Sequence, residues 1–297
     1  MLANRVNLDF EKSLSQNNPT LIDNKITNRL EYIYFLFGEN APLYSLQSYS
    51  KSELQYYKDL LNTDVQVTSD GDYDNWWGDL SDFEKMRRIN SKVDQTNWVI
   101  DEGLGIDGLS LVLNEERVFK QDMYFRAEYG FSGLSNRIIH KGEINKLSKG
   151  VIAPLLENII SFGITFSGSE YFICLNKILD GRFLGGKIIR TKELSALVGI
   201  DESVLLVEIE RIIERIKKYT SYQWGQFDSL FYGKRGKYNW YKVVEINQRK
   251  TMGLVIKKCT EFFGPGEFKV SSLDNEKKKH IKLFVKESAL KTYYVLD

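Results

Sequence analysis

The hydrophobic pattern of this 297-residue chain changes its period after Tyr219, and this change constrains the fold more than any other feature. Before it, apolar residues recur at helical spacing over 205–216. Thr191 and Asp201 can each cap a helix, and Gly199 stands where a left-handed helix end is needed. After Tyr219, apolar and polar residues alternate, as on strands with one buried face. The pattern predicts a helix pair followed by an antiparallel sheet.

Elsewhere the signals are shorter. A capping box at Ser50 and Glu53 predicts a helix that runs to Leu61. Other segments are predicted as helices over 21–37, 81–89 and 150–162, as a hairpin over 164–175, and as strands over 252–259, 268–271, 281–286 and 293–296. The fold class is therefore predicted as α+β: a helical N-terminal part, a central mixed segment, and a C-terminal helix-turn-helix-like pair followed by an antiparallel sheet.

Charge is divided unevenly along the chain, although the formal net charge is only +1. Residues 1–140 contain 14 Lys and Arg against 22 Asp and Glu, whereas residues 141–297 contain 27 against 18. We expect two regions, an acidic, helix-rich region over 1–140 and a basic α+β region over 141–297. A basic half favours an anionic partner such as nucleic acid.

Scarce residues exclude several classes of site. The chain has two cysteines and two histidines, too few for a tetrahedral zinc site, so we expect no metal site and no cofactor. A nucleophilic triad is disfavoured because two histidines leave little choice of base. No apolar run is long enough to span a membrane, and the N-terminal residues lack an apolar signal segment. We therefore expect a cytoplasmic protein with no membrane partner.

The segment 191–247 has the order helix, glycine turn, helix and β-hairpin. This layout resembles winged-helix domains, in which the second helix enters the major groove of DNA and the hairpin contacts phosphate. In the predicted hairpin loop, Lys234, Arg235 and Lys237 would supply those phosphate contacts. The second helix carries carboxylates on the face that would read bases. The alternative is a helical hairpin used for packing or protein contact.

Aromatic and basic residues interleave through the last third of the chain. Exposed rings can stack on bases while cations follow the backbone. On this basis Trp240 and Tyr241 are candidate stacking residues, and Lys277, Lys278 and Lys279 are candidate phosphate contacts. The alternative is a solvated, lysine-rich sheet whose aromatic side chains point into the core.

Three phosphate- or metal-binding patterns are incomplete. The glycines of 103–108 match G-x-G-x-x-G, but no βαβ series surrounds them. Residues 181–187 match G-x-x-x-x-G-K but are followed by Ile188, where a P-loop needs Ser or Thr. Asp70, Asp72 and Asp74 have the spacing of calcium ligands without the glycine and final glutamate of an EF-hand. Turns and a solvated loop are the better interpretation.

A metal-dependent nuclease is a further candidate. Glu267-Phe268-Lys269 fits the acidic-x-Lys half of such sites, in which carboxylates hold Mg²⁺ and lysine stabilises charge. Asp228 and Glu245 are possible partners for this tripeptide. The tripeptide is short enough to occur by chance.

These observations favour a non-enzymatic nucleic-acid-binding protein, acting in replication or transcription of a mobile element. The second hypothesis is a subunit of a viral or phage particle, in which acidic and basic halves pair head to tail in a homo-oligomer. The third is the Mg²⁺-dependent nuclease. The first hypothesis requires that the C-terminal cations form one continuous surface patch.

Overall fold

The computed structural model of the protein describes residues 2–23, 25, 29–130, 136–179, 181–234, 236–270, 280–285 and 289–297. Helices account for 30% of the chain and strands for 35%, which confirms the mixed α+β class. The chain divides into two compact units. The first contains Met1–Phe83, Leu184–Ile188 and Arg249–Asp297, and the second contains Glu84–Phe183 and Ile189–Gln248. The charge-based boundary at residue 140 stays a prediction.

The helices have these bounds: α1 (Phe10–Ser15), a 3-10 helix (Glu31–Phe37), α2 (Lys51–Leu61), α3 (Phe83–Asn90), α4 (Lys92–Asp101), α5 (Thr191–Val198), α6 (Glu202–Thr220) and α7 (Met252–Phe263). Among the described residues, none of these helices combines the length and apolar character that crossing a bilayer would require.

The first strands are β1 (Ala3–Arg5), β2 (Leu43–Tyr44), β3 (Val67–Thr68), β4 (Tyr73–Asn75), β5 (Ser110–Val112), β6 (Glu115–Val118), β7 (Met123–Ala127), β8 (Asn136–Ile139) and β9 (Ile144–Leu147). The remaining strands are β10 (Gly150–Pro154), β11 (Ile160–Ser167), β12 (Glu170–Leu179), β13 (Arg182–Ile189), β14 (Trp224–Lys234), β15 (Lys237–Asn247), β16 (Gly266–Val270), β17 (His280–Lys282) and β18 (Thr292–Leu296).

The first unit combines the two ends of the chain. Its N-terminal strands form a parallel sheet in the order β3-β2-β1-β4. Its C-terminal strands are antiparallel, with β16 pairing with β18 and with Gly185 and Gly186 of β13. The Tyr32 hydroxyl contacts the Thr292 hydroxyl, and the Leu290 amide donates to the Arg29 carbonyl. The early and late segments therefore share one core.

The second unit contains two antiparallel arrangements that matter for function. The first arrangement is a sheet with the strand order β5-β10-β7-β8. The second is formed by four neighbouring strands in the order β15-β14-β11-β12. Phe162, Ile164 and Phe227 form one face of the latter strands and pack with α6 residues Leu205 and Ile209 in a buried core. Because side chains alternate between faces, the residues between them point to the opposite, more polar face.

Several predictions are confirmed, because each depends on residues that are close together in the sequence. The Ser50–Glu53 capping box is present, with the Ser50 amide donating to the Glu53 carboxylate at 2.6 Å. Gly199 ends α5 with φ 72°, and Asp201 caps α6 by accepting from the Ser203 amide at 2.8 Å. The predicted hairpin over 164–175 is formed by β11 and β12.

Other predictions are wrong where one apolar pattern suits two structures. Residues 150–162 contain strand β10 and the start of β11 instead of a helix, because a strand buried on both faces is also apolar throughout. Residues 252–259 belong to α7, not to a strand, and Val255, Ile256 and Cys259 form its buried stripe. In 21–37, Glu31–Phe37 form a 3-10 helix, and residues 24 and 26–28 lie outside the described residues.

The winged-helix assignment for 191–247 is also wrong at the level of architecture. Its helices and hairpin exist with nearly the expected bounds. However, β14 of the hairpin also pairs along its length with β11. The hairpin is therefore part of a larger sheet, and it is not an isolated wing.

Candidate functional site

Two carboxylates face each other across strands of the second unit. Asp228 on β14 lies directly opposite Glu245 on β15 in the antiparallel ladder. Directly opposed residues of such a ladder share one face of the sheet. Their sequence neighbours Phe227 and Ile246 are buried in the core, and successive side chains of a strand point to opposite faces. The pair therefore lies on the polar face, opposite the apolar core.

Two side-chain amides donate hydrogen bonds to the Asp228 carboxylate. Its Oδ1 accepts from Gln226 Nε2 at 2.8 Å, and its Oδ2 accepts from Asn247 Nδ2 at 3.0 Å. The Thr165 hydroxyl in turn donates to Gln226 Oε1 at 2.9 Å. Each bond joins side chains of the same face, so the carboxylate has a defined orientation before any ligand binds.

Glycine at position 163 makes room for this carboxylate. Gly163 on β11 lies opposite Asp228. A Cβ atom there would stand 2.8 Å from Gln226 Nε2 and 3.2 Å from Asp228 Oδ1. The absence of a side chain therefore permits the polar groups of β14 to lie flat across β11.

Two buried cations approach Glu245 from other elements. Lys92 Nζ, at the start of α4, lies 3.3 Å from Glu245 Oε1, and Arg126 Nη1, on β7, lies 3.9 Å from Glu245 Oε2. Both basic side chains are only 6% exposed. Helix α4 and strand β7 thus bring positive charge to Glu245 of the β14–β15 hairpin.

The Arg126 guanidinium has hydrogen-bonding capacity to spare. Nη1 donates to the Val244 carbonyl at 2.9 Å, and the guanidinium forms a further hydrogen bond with the Tyr241 hydroxyl. These two bonds leave part of its five-donor fork unused. Burial raises the pKa of the nearby Tyr241 hydroxyl, and the charge of Arg126 opposes that rise. A buried donor without an acceptor costs about 1–3 kcal/mol. Such a group is suited to receive an anionic ligand.

The donor set fits a magnesium ion bound together with phosphate. Mg²⁺ is usually held by one or two carboxylates and completed by substrate phosphates and water. Asp228, Glu245 and the amide oxygen of Asn247 are hard oxygen ligands of that kind. Among the described residues, no group of three or more His, Cys, Asp or Glu side chains is arranged so that it could hold a metal ion. A partly open site fits these residues better than a closed, all-protein metal cage.

The predicted phosphate contacts lie away from this face or outside the described residues. Lys234 and Lys237 are exposed at the adjoining ends of β14 and β15. Arg235 and the run Lys277, Lys278 and Lys279 lie outside the described residues. None of the described members of this set touches the carboxylate pair.

The two predicted stacking residues have other roles. Trp240 is half-buried, donates from Nε1 to the Ser229 hydroxyl at 2.7 Å, and packs its ring 5.0 Å from that of Phe231. Tyr241 is 3% exposed, so its ring offers no surface on which a base could stack. The aromatic side chains of this hairpin are mostly part of the core.

The sequence reasoning missed Lys92, Arg126 and Asn247, and it considered Asp228 and Glu245 only as partners of Glu267-Phe268-Lys269. That tripeptide lies on β16 in the first unit, whereas the carboxylate pair belongs to the second. A signal was available in the alternation of Glu245 and Asn247 within an apolar strand. Two polar side chains at i and i+2 share a face.

No family model matches the sequence, and no curated protein matches it by sequence. Solved structures do match the fold. N5-carboxyaminoimidazole synthetase from Staphylococcus aureus, complexed with ADP, has a TM-score of 0.54 at 12% identity, over 100% of this chain and 93% of that chain. Biotin carboxylase from Campylobacter jejuni, in a β,γ-ATP complex, has a TM-score of 0.52 at 10% identity, over 91% and 85%.

A third match is the biotin carboxylase domain of 2-oxoglutarate carboxylase from Hydrogenobacter thermophilus, in complex with MgADP, ADP and bicarbonate. Its TM-score is 0.50 at 9% identity, over 90% of this chain and 83% of that chain. These neighbours belong to the ATP-grasp ligases and carboxylases. At such identities the similarity shows a shared fold.

This fold overturns the functional prediction. The chain has the architecture of ATP-dependent enzymes, so a non-enzymatic nucleic-acid-binding protein is the wrong class, and so are the viral assembly subunit and the nuclease. The prediction relied on cations gathered into one patch. Instead, Arg249 pairs with Glu11, Arg215 with Glu102 and Lys242 with Glu208. Self-association stays a prediction.

Proposed function

We propose that this chain is an ATP-dependent ligase that binds a magnesium–nucleotide complex on the polar face of the β14–β15 hairpin. The observation that carries the proposal is the opposed Asp228–Glu245 pair with the buried, partly unpartnered Arg126 beside it. The fold supports the proposal, because the three structures compared above were determined with ADP or ATP.

The residues divide into two roles. Asp228, Glu245 and Asn247 would hold Mg²⁺ through oxygen atoms, and Lys92 and Arg126 would bind phosphate oxygens. A bound Mg²⁺ supplies neutralisation of the charge on the phosphates. Arginine suits phosphate because its planar fork can donate two parallel hydrogen bonds. The nearly complete burial of both cations strengthens these contacts, since little water screens them.

Hydrogen bonding within the hairpin prepares the site. Both oxygens of Asp228 are oriented by amides, so little side-chain order needs to be gained when the metal binds. The contacts of Lys92 and Arg126 with Glu245 hold these cations next to the metal ligands. Carboxylates and basic side chains therefore lie close together at this site. The arrangement suits a ligand that combines a metal cation with anionic phosphates.

Calorimetric titration tests the binding step. ADP should bind the full-length wild-type protein with Mg²⁺ and bind at least about 10-fold more weakly in EDTA, a difference of about 1.4 kcal/mol. Asp228→Asn and Glu245→Gln should lose that magnesium-dependent gain. Glu170→Gln changes a carboxylate that is exposed on β12 of the same unit, and it should bind as the wild type does.

Turnover tests the reaction class. With MgATP supplied, the rate at which the wild-type protein forms ADP should rise when a panel of carboxylic acids and amines is added. Asp228→Asn should abolish that rise. Equal ADP binding with and without Mg²⁺, or equal binding by wild type, Asp228→Asn and Glu245→Gln, would remove the proposed site.

A further inference from the structure

Strand β15 has an outer edge that is covered by side chains. In the second unit it is the terminal strand of the order β15-β14-β11-β12. Ile246 on this strand donates its amide to Gln95 Oε1 at 2.8 Å, and its carbonyl accepts from Gln95 Nε2 at 2.7 Å. The side chain of Gln95 therefore satisfies both backbone groups of Ile246, as a neighbouring strand would.

A second amide continues this arrangement. The backbone amide of Gln248 donates to Asn90 Oδ1 at 3.1 Å. We refer to the side chains of Asn90 and Gln95 as the amide pair. Asn90 ends α3 and Gln95 lies near the start of α4, so one helix junction presents both amides to the strand.

The amide pair is itself held firmly. Asn90 Nδ2 donates to the Met86 carbonyl at 2.9 Å, and Gln95 Nε2 also donates to the Ile89 carbonyl at 2.7 Å. Gln95 is 2% exposed. Ser91 caps α4 by accepting from the Asp94 amide at 3.2 Å. The amides cannot turn away without breaking bonds to the helix ends.

The bonded backbone groups alternate with the proposed metal ligands. The amide pair binds the backbone of Ile246 and of Gln248. Glu245 immediately precedes Ile246, and Asn247 immediately precedes Gln248, so the two ligand side chains point to the other face of the strand. We propose that Gln95 and Asn90 are positioning residues that set the placement of these two ligands. This inference rests on the proposed function. Lys92, which contacts Glu245, belongs to the same helix as Gln95, so α4 fixes the phosphate-binding cation and the ligand strand together.

Substitutions at Gln95 separate positioning from general packing. Gln95→Met keeps the length of the side chain and removes all three hydrogen bonds. Gln95→Glu keeps an acceptor for the Ile246 amide and loses both donors, so it serves where the methionine variant folds poorly. Asn97→Asp is the matched control, because it changes an exposed amide of the same helix α4 to a carboxylate outside the amide pair.

The measurement is metal affinity in the nucleotide complex. We expect Mn²⁺ titrations followed by electron paramagnetic resonance, with saturating ADP, to show about 10-fold weaker binding by both Gln95 variants. ADP affinity in EDTA should be unchanged, and so should the metal affinity of Asn97→Asp. Hydrogen exchange at the Ile246 amide should be faster in Gln95→Met, because methionine removes its acceptor.

Three results would overturn the positioning role of Gln95. Wild-type metal affinity in a folded Gln95→Glu protein would overturn the positioning role and leave the proposed function standing. Equal losses of Mn²⁺ affinity and of ADP affinity in EDTA would show a general structural role and overturn it as well. If the wild-type protein itself binds no MgADP, the proposed function fails and this inference fails with it.

Discussion

Gly163 on β11 lies directly opposite Asp228 on β14, and a methyl group at position 163 would contact the Gln226 amide and the Asp228 carboxylate. We therefore expect Gly163→Ala to displace the carboxylate, to weaken MgADP binding about 10-fold or more, and to cost about 1–3 kcal/mol of stability through overpacking. Calorimetry and urea unfolding measure the two effects.

The control for this substitution is Gly168→Ala in the β11–β12 turn. Gly168 has φ 59° and no atom within 4 Å of its ideal Cβ position. Alanine there introduces backbone strain without crowding the site, so stability should fall while MgADP affinity is kept. Wild-type MgADP affinity in Gly163→Ala would contradict the role assigned to the glycine.

Arg126 should matter for nucleotide binding more than its single ion pair suggests. Arg126→Met removes the charge and the donors to the ligand, and we expect ADP affinity to fall about 10-fold or more, since charge-assisted hydrogen bonds contribute about 1.5–3 kcal/mol. Arg126→Lys keeps the charge without the fork and should be intermediate. Arg117→Met, at an exposed position on β6, is the control. Equal ADP affinity in all four proteins would exclude Arg126 from the site.

The exposed hairpin end should not take part in nucleotide binding. At about 3.3 Å per residue, β14 places Lys234 roughly 20 Å from Asp228, beyond the screening length of about 8 Å at physiological salt. Reversing Lys234 and Lys237 to Glu should therefore leave MgADP affinity within about 2-fold of the wild type by calorimetry. A tenfold loss would show that these lysines reach the ligand.

Tyr219 should make the protein less stable in alkali. Burial, with the charge of Asp94 adding to it, raises the pKa of Tyr219 from 10.0 to about 12. Between these values the unfolded chain releases a proton that the folded protein retains, so raising the pH favours unfolding. Tyr219→Phe keeps the ring that stacks 4.7 Å from Trp98 and removes the ionisation.

Urea unfolding at about pH 8 and about pH 11 tests this difference. The wild-type protein should lose more unfolding free energy between the two conditions than Tyr219→Phe. Other buried tyrosines are present in both proteins, so their contribution cancels in the comparison. Equal losses would mean that Tyr219 titrates alike in the folded and unfolded chain.

Local signals predicted the parts of the fold that depend on neighbours in sequence. Gly199 and the Ser50–Glu53 pair act within one helical turn, and the structure has them as expected. Residues 150–162 and 252–259 were assigned wrongly because an apolar run does not reveal whether its backbone pairs with other strands. Val151 and Val255 are both buried, and their burial is a property of the tertiary structure.

The site was hidden for a similar reason. Arg126 and Glu245 lie far apart in the chain, and strand and helix packing alone brings them to 3.9 Å. The charge asymmetry was misleading because it sums residues without their partners. Arg249 counts toward the basic half, yet it pairs with Glu11 from the acidic half within the first unit.

The discontinuous first unit sets an order of events during translation. Met1–Phe83 leave the ribosome before the second unit, but Arg249–Asp297, which complete the same core, leave after it. At about 5–20 residues per second, the wait between them is roughly 10 to 30 s. The second unit is encoded almost without interruption in that interval and can fold while the N-terminal segment still lacks its partner. A released chain truncated after Gln248 should therefore protect the β14–β15 hairpin from protease and leave the first 83 residues open to cleavage.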